Sequence, residues 1–151
     1  MIKPEKQKKD KKNIPIKTGE DSVNFLSSYA NNMDDEADFF NNEGQLSCDV
    51  YQDQENIIVR STMAGVNQKN LDISVSNDLL TIRGFREADE ETKADDFYCR
   101  EIYWGTFSRS IVLPQEVDQN KIEATLKNGI LTVILPKKYK TTSITVKQID
   151  D

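Results

Sequence analysis

The clearest alternation of apolar and polar side chains in this chain runs through residues 121–137. Residues 122–126 alternate strictly, the period-2 pattern of a strand with one buried face. Asn128 and Gly129 follow, a pair that accepts positive φ at both central positions of a tight hairpin turn. Residues 130–135 are then almost continuously apolar, which favours a strand that is covered on both faces. The whole stretch predicts a β-hairpin.

Weaker versions of the same pattern occur upstream and predict further strands. These strands are expected over residues 46–50, 56–63, 71–75, 79–85, 97–103 and 106–113. Turn-forming residues separate them every eight to twelve positions, and no long stretch has the helical period. Such a pattern indicates an all-β protein, an antiparallel β-sandwich of the immunoglobulin-like type.

Composition divides the chain into a folded domain and two arms. Hydrophobic residues make up only 36% of the 151 residues, and charged residues make up 30%. Part of such a chain is not expected to fold by itself. The apolar residues concentrate between Leu46 and Leu135. We therefore expect a flexible N-terminal arm over residues 1–45, a sandwich domain over residues 46–138 and a C-terminal tail over residues 139–151. A short helical turn is expected within the arm, around residues 22–31.

The charge pattern limits the expected partners and cellular location. The net charge is -6, although residues 1–17 carry seven lysines and only two acidic residues. An acidic protein is not expected to bind nucleic acid as its main partner, and the lysine-rich start is typical of a solvated tail. The sequence has neither a signal-peptide core nor an apolar stretch of membrane-spanning length. We expect a cytoplasmic protein with no membrane partner.

Candidate catalytic and metal-binding groups are scarce. The chain has no histidine, and its two cysteines, Cys48 and Cys99, are far apart in sequence. It has no glycine-rich phosphate loop, so an ATP-dependent activity is not expected. The acidic residues 87–96 lack the ordered ligand spacing of a calcium loop, and residues 35–38 match a helicase motif only by chance. These features predict no enzyme, no cofactor and no metal.

Several separated blocks carry a resemblance to a known family. The blocks are Gly105-Thr106-Phe107-Ser108-Arg109, Leu113-Pro114, Asn128-Gly129-Ile130-Leu131-Thr132-Val133 and Pro136-Lys137, with residues 64–66, 71–75 and 80–84 upstream. In this order and spacing they resemble the α-crystallin domain, the core of the small heat-shock proteins, over residues 46–138. Ala64 departs from the family pattern, where proline often precedes the glycine.

The resemblance extends to the tail. Ile144 and Val146 match a family motif that docks on a neighbouring subunit, and their period-2 spacing points both side chains the same way. The resemblance implies that a groove between two strands accepts this motif and also meets client proteins. Its expected lining is Ile73, Val75, Ala124 and Leu126. An alternative is that these four are ordinary core residues.

The resemblance also implies a dimer. Bacterial and plant members exchange a short strand between subunits in the region that corresponds to residues 87–103. This predicts an interface that contains Phe97, Tyr98, Trp104 and Arg109. Alternatively, Arg109 is a surface residue with a local partner.

The expected function follows from the resemblance. It implies an ATP-independent holdase that binds partly unfolded client proteins, assembles into dimers and then into larger homo-oligomers, and contains no catalytic centre. One alternative is a CS-domain-like co-chaperone or adaptor that acts as a monomer on another chaperone. Another is a β-sandwich adhesion or ligand-binding module, against which the absent signal peptide and disulfide framework argue.

Overall fold

The computed structural model describes residues 14–17, 43–88, 92–139 and 144–148. Over these residues the chain forms two facing β-sheets, a five-stranded sheet of order β1-β5-β6-β7-β2 and a four-stranded sheet of order β3-β4-β9-β8. In chain order the strands are β1 (Ile16–Lys17), β2 (Gly44–Gln45), β3 (Cys48–Gln52), β4 (Asn56–Thr62), β5 (Leu71–Ser76), β6 (Leu79–Arg86), β7 (Gly105–Val112), β8 (Glu123–Lys127) and β9 (Ile130–Pro136). The predicted all-β sandwich is confirmed.

The hairpin of β8 and β9 has the predicted register and turn. Leu126 lies opposite Leu131 across an antiparallel ladder. Asn128 and Gly129 have φ values of 52° and 72°, the left-handed conformation that the sequence pair favours. The carbonyl oxygen of Gly129 accepts a hydrogen bond from the backbone N–H of Met63 at 2.6 Å, which joins the turn to the end of β4.

Strand β9 is buried on one face only, so the prediction of two covered faces is wrong. Leu131, Val133 and Leu135 have no exposed surface, whereas Ile134 is 36% exposed. The physical reason is that a two-layer sandwich has a single interior, and side chains alternate between that interior and the outside. The apolar residues of β9 on the outer face are surface residues.

The core fills the space between the two sheets. It contains the following buried hydrophobic residues: Ile14, Leu46, Ile57, Val59, Met63, Val66, Leu71, Ile73, Val75, Leu80, Ile82, Phe107, Leu113, Val117, Ala124, Leu131, Val133 and Leu135. Within the five-stranded sheet, Gly84 on β6 leaves room for the ring of Phe107 directly opposite on β7. A Cβ atom on Gly84 would lie 2.4 Å from the ring of Phe107, so the ring occupies space that any side chain at this position would need.

The predicted short strand over residues 97–103 is absent. A single 3₁₀ turn, Ala94–Asp96, precedes an irregular stretch in which Tyr98 is fully exposed. A strand requires a neighbouring strand with unpaired backbone groups. Strand β7 already pairs with β6 and with β2, so it offers no free side to residues 97–103.

Two short segments of the predicted arm belong to the five-stranded sheet. Strand β1 pairs in parallel with β5, with Ile16 opposite Ile73. Strand β2 pairs in parallel with β7, and the N–H of Leu46 continues this contact to the carbonyl oxygen of Ser108 at 3.1 Å. The helical turn predicted around residues 22–31 lies outside the described residues.

Candidate functional site

The four residues predicted to line a groove meet where the two sheets face each other. Ile73 and Val75 lie on β5, and Ala124 and Leu126 lie on β8, the outer strand of the four-stranded sheet. Ile73, Val75 and Ala124 are at most 3% exposed, and Leu126 is half-buried against them. We call the space between these two strands the β5–β8 groove.

The β5–β8 groove is filled by the segment Ile14-Pro15-Ile16 of the same chain. Ile14 is 3% exposed, and its backbone N–H donates to the carbonyl oxygen of Ala124 at 2.9 Å. Ile16, two residues further on, pairs with Ile73 and packs against the core while Pro15 is exposed. The segment therefore contacts both sheets, through a ladder to β5 and a hydrogen bond to β8.

The sequence of this segment explains its extended conformation. Proline disfavours the helical region for the residue before it, which directs Ile14 to extended backbone, and it fixes its own φ at a value that an extended strand allows. In an extended chain, side chains two positions apart point to the same face, which directs Ile14 and Ile16 together into the groove. Burying one isoleucine side chain contributes about 1.5–3 kcal/mol before the cost of ordering the chain.

The tail motif lies outside the groove of its own chain. Ile144 is 83% exposed and Val146 is 87% exposed. Before the motif, the Nζ of Lys137 donates to the carbonyl oxygen of Asp53 at 2.7 Å, and the Tyr139 hydroxyl donates to that of Gln54. The tail thus leaves the domain beside the turn between β3 and β4, whereas the groove lies along β8 at the opposite side of the four-stranded sheet.

The residues predicted for a dimer interface do not form one cluster in the subunit. Phe97 and Trp104 line an open concavity of about 540 Å³, together with Arg100 and Ile102. Tyr98 points into solvent. Arg109 lies elsewhere, on β7 opposite Ile82 and on the same face of the strand as Phe107, where it is half-buried in a shallow depression beside β2.

Tyr103 and Arg86 attach the end of this loop to the sandwich, and neither was identified from the sequence. The Tyr103 hydroxyl donates to the carbonyl oxygen of Thr106 at 2.6 Å and accepts from the N–H of Gly44 at 3.0 Å. The guanidinium of Arg86 donates to the carbonyl oxygens of Ala64 at 2.9 Å and Tyr103 at 3.1 Å. The residue types of Tyr103 and Arg86 do not by themselves indicate which backbone groups these side chains contact.

Cys48 and Cys99 are both free thiols, in different surroundings. Burial raises the pKa of the Cys48 thiol, and a hydrogen bond with Ser61 and the charge of Arg109 oppose this only in part. A raised pKa keeps this thiol protonated and weakly reactive at neutral pH. Cys99 is exposed in the loop.

The part of the chain that the structure describes contains no group of three or more cysteine, aspartate or glutamate residues placed to hold a metal ion. None of its described helices has the length and apolar character needed to cross a membrane.

A β-sandwich in which a short extended segment pairs with an outer strand has the geometry of β-augmentation, here formed within one chain. The model of the Hsp20/alpha crystallin family matches residues 49–150, and the chain belongs to this family of chaperones. The resemblance read from the separated sequence blocks is therefore confirmed.

Two curated relatives illustrate the similarity. The chain is 39% identical over 101 residues to small heat shock protein C2 from Rickettsia felis, which covers 66% of each protein. It is 36% identical over 110 residues to heat shock protein 16 from Schizosaccharomyces pombe, which covers 70% of this chain and 76% of the relative. The match spans 66% of C2, 61% of small heat shock protein C4 and 53% of spore protein SP21.

Solved structures show the same fold. Heat shock protein 16.0 from Schizosaccharomyces pombe superposes with a TM-score of 0.60 at 30% sequence identity, over 72% of this chain and all of that structure. A small heat-shock protein from Xylella fastidiosa gives a TM-score of 0.59 at 21% identity, over 70% of this chain and 96% of that structure. The second likeness concerns the fold alone.

Proposed function

We propose that this protein is an ATP-independent holdase, a chaperone that binds partly unfolded proteins and prevents their aggregation without catalysing a reaction. The observation that supports this most directly is the β5–β8 groove with Ile14 and Ile16 seated in it. The groove accepts an extended backbone with two apolar side chains of period-2 spacing. Unfolded proteins expose such segments, and folded proteins bury them.

The binding chemistry of the groove suits a broad range of clients. Backbone hydrogen bonds, such as that of Ile14 to Ala124, are independent of the client's side chains. The apolar lining requires only two side chains of suitable size. Each contact is then weak and reversible, because ordering the bound segment offsets much of the burial energy.

The proposed assembly is a homo-oligomer built from dimers. Dimers would form through the loop that carries Phe97, Tyr98 and Trp104, together with Arg109. Larger oligomers would form when Ile144 and Val146 of one subunit enter the β5–β8 groove of another. The exposure of Tyr98 and of the tail motif in the isolated subunit supports both contacts, since covering large apolar side chains with a partner is favourable.

The proposed setting is the cytoplasm, with unfolded proteins as partners and with neither nucleic acid nor membrane as a ligand. The acidic balance of the chain, a net charge of -6, supports the exclusion of nucleic acid because phosphate backbones attract basic surfaces.

The experiment that tests the function measures light scattering while a heat-sensitive client enzyme unfolds. We expect the full chain, at a near-equimolar ratio and without ATP, to suppress most of the scattering. Leu126→Glu, which places a charge at the half-buried wall of the groove, is expected to weaken the suppression severalfold. Val112→Glu is the matched control, because Val112 is an apolar residue that is 70% exposed and lies on β7, which β6 separates from the groove strand β5. Undiminished client aggregation in the presence of the unmodified chain would overturn the proposal.

A further inference from the structure

The chain contains the groove-binding pattern twice. Ile14-Pro15-Ile16-Lys17 lies near the start of the chain, and Ile144-Thr145-Val146-Lys147 lies near its end. Both segments place two β-branched apolar residues two positions apart, and lysine follows each pair. The structure seats the first segment in the groove and leaves the second exposed.

The two segments cannot occupy one groove together. With the first segment bound, Ile73 has no exposed surface, and Val75 and Ala124 are at most 3% exposed. The backbone carbonyl of Ala124 is already an acceptor for the N–H of Ile14. A second segment would therefore have to compete with the first for Ile73, Val75 and Ala124 and for the carbonyl oxygen of Ala124.

We propose that the β5–β8 groove is closed in the isolated subunit by Ile14 and Ile16 of its own chain, and that the tail segment Ile144–Val146 of a second copy opens it by displacing them. This inference rests on the proposed function, since it assigns a resident competitor to the tail-docking groove. The exposed tail leaves its own domain beside the β3–β4 turn, away from β8, which favours a groove on another copy.

The free-energy cost of binding in the groove differs between the two segments, because they differ in sequence and in how they are attached to the groove. Pro15 restricts the first segment to extended backbone before it binds, whereas Thr145 leaves the tail segment freer, so the tail loses more entropy on docking. The first segment is also joined to the groove's own domain through residues 18–42, which makes its binding intramolecular. A tail from another subunit displaces the first segment only at a high local concentration, which assembly provides.

This arrangement makes the exposure of Ile14 and Ile16 depend on assembly. In a lone subunit, the resident segment covers the apolar lining of the groove. In an oligomer, each docked tail releases one Ile14–Ile16 segment, which adds a pair of apolar side chains to the surface of the assembly. The N-terminal segment thus acts as an autoinhibitory plug that the tail of another subunit displaces.

The test measures binding of a fluorescent peptide of residues 140–151 to the full chain by anisotropy. The parent protein carries Ile144→Ala and Val146→Ala, so that its own tails do not compete. We expect Ile14→Ser with Ile16→Ser, added to this parent, to lower the peptide's Kd at least about tenfold. The serine variant's N-terminal segment no longer occupies the groove, so it no longer reduces the apparent affinity of the protein for the peptide. Val112→Ser is the matched control and is expected to leave Kd unchanged.

A second peptide separates the groove from other effects. Residues 11–20, added in excess to the serine variant, should compete with the tail peptide, and the same peptide with serine at both isoleucine positions should not. An equal Kd for parent and serine variant would overturn the plug while leaving tail docking intact. Binding to neither protein would overturn tail docking itself, and with it the competition.

Hydrogen exchange of the unmodified N-terminal segment provides a readout that does not depend on the serine variant folding. The Ile14 amide, which is hydrogen-bonded to Ala124, should exchange at least about tenfold faster when the tail peptide is present at saturation. Unchanged protection of this amide at saturation would overturn the displacement.

Discussion

The backbone N–H of Ile14 donates to the carbonyl oxygen of Ala124 at 2.9 Å, although the strand that follows Ile14 belongs to the other sheet. A single short segment therefore links the two layers of the sandwich on the side where β5 and β8 approach each other. In most strands, backbone hydrogen bonds join neighbours of one sheet. Here they connect the layers, and they do so at the groove to which we assign tail docking.

Replacing the tail motif is expected to reduce the size of the assembly. Ile144→Ala with Val146→Ala removes most of the apolar surface that the tail can bury, so oligomers should dissociate to dimers. Size-exclusion chromatography with light scattering measures the change. The matched control is Thr145→Ala, which alters the intervening residue and should leave the oligomer intact. An oligomer of unchanged mass in the double variant would contradict tail docking.

The exposed loop is expected to hold the dimer. In the tail variant, Phe97→Ser with Tyr98→Ser should shift the dimer towards monomer by at least about tenfold in its dissociation constant, because both rings are exposed in the isolated subunit. Sedimentation velocity measures the constant, and Val112→Ser is the control. An unchanged dissociation constant would indicate that the dimer interface lies on another surface.

Gly84→Ala is expected to destabilise the domain by about 1–3 kcal/mol. Its new methyl group would overlap the Phe107 ring at 2.4 Å and approach Leu71 at 3.0 Å. Urea unfolding followed by tryptophan fluorescence measures the loss. Phe107→Leu removes the ring and should restore part of the stability when it is combined with Gly84→Ala. If the two substitutions are strictly additive, the proposed overlap is wrong.

Tyr103→Phe is expected to lower the stability by about 1 kcal/mol, since it removes a hydroxyl that bridges Gly44 and Thr106. Hydrogen exchange should show faster exchange of the Gly44 amide in this variant. Tyr98→Phe is the matched control, because that hydroxyl belongs to a fully exposed side chain and its loss should change neither quantity. Equal effects of the two substitutions would contradict the bridging role.

Asp53 is expected to make the fold sensitive to acid. Hydrogen bonds from the backbone N–H of Asn56 and then of Glu55 lower the pKa of its carboxyl group below the usual 3.8. The folded state thus favours the charged form, so this contribution is complete above pH 3.8 and is lost as the pH falls through the lowered pKa.

Asp53→Asn keeps the side-chain acceptor and removes the titration. Urea midpoints measured across the range below pH 4 should therefore fall less steeply with pH in this variant than in the unmodified protein. Asp49→Asn, on the neighbouring strand, is the control and should retain the steeper dependence. Identical slopes for all three proteins would contradict the role of Asp53.

The strands of the sandwich were predictable because burying one face imposes a period of two on the sequence. The hairpin turn was predictable because few residues other than Asn128 and Gly129 adopt its backbone angles readily. Strand β1 was not predictable from local pattern. It is two residues long, and its partner Ile73 is far away in sequence, so no alternation marks it. The repeated Ile-x-Ile/Val-Lys pattern was the one readable signal for it.

Prediction from the sequence failed for different reasons at the groove and at the loop of residues 97–103. The four groove residues lie on β5 and β8, and the segment Ile14–Ile16 that occupies the space between them was not predicted, because an arm rich in charged residues has the composition of an unfolded segment. Residues 97–103 have the composition of a strand, but a strand also needs an unpaired neighbour. That requirement is a property of the whole sheet, and a local pattern does not contain it.

Strands β1 and β2 form the two outer margins of the five-stranded sheet, and both come from the first 45 residues. A protein truncated at Leu46 would lose both margins at once and leave the backbone groups of β5 and β7 without their neighbours. Exposed edge strands of this kind can pair with strands of other molecules. We therefore expect a domain that lacks β1 and β2 to self-associate through the exposed edges of β5 and β7.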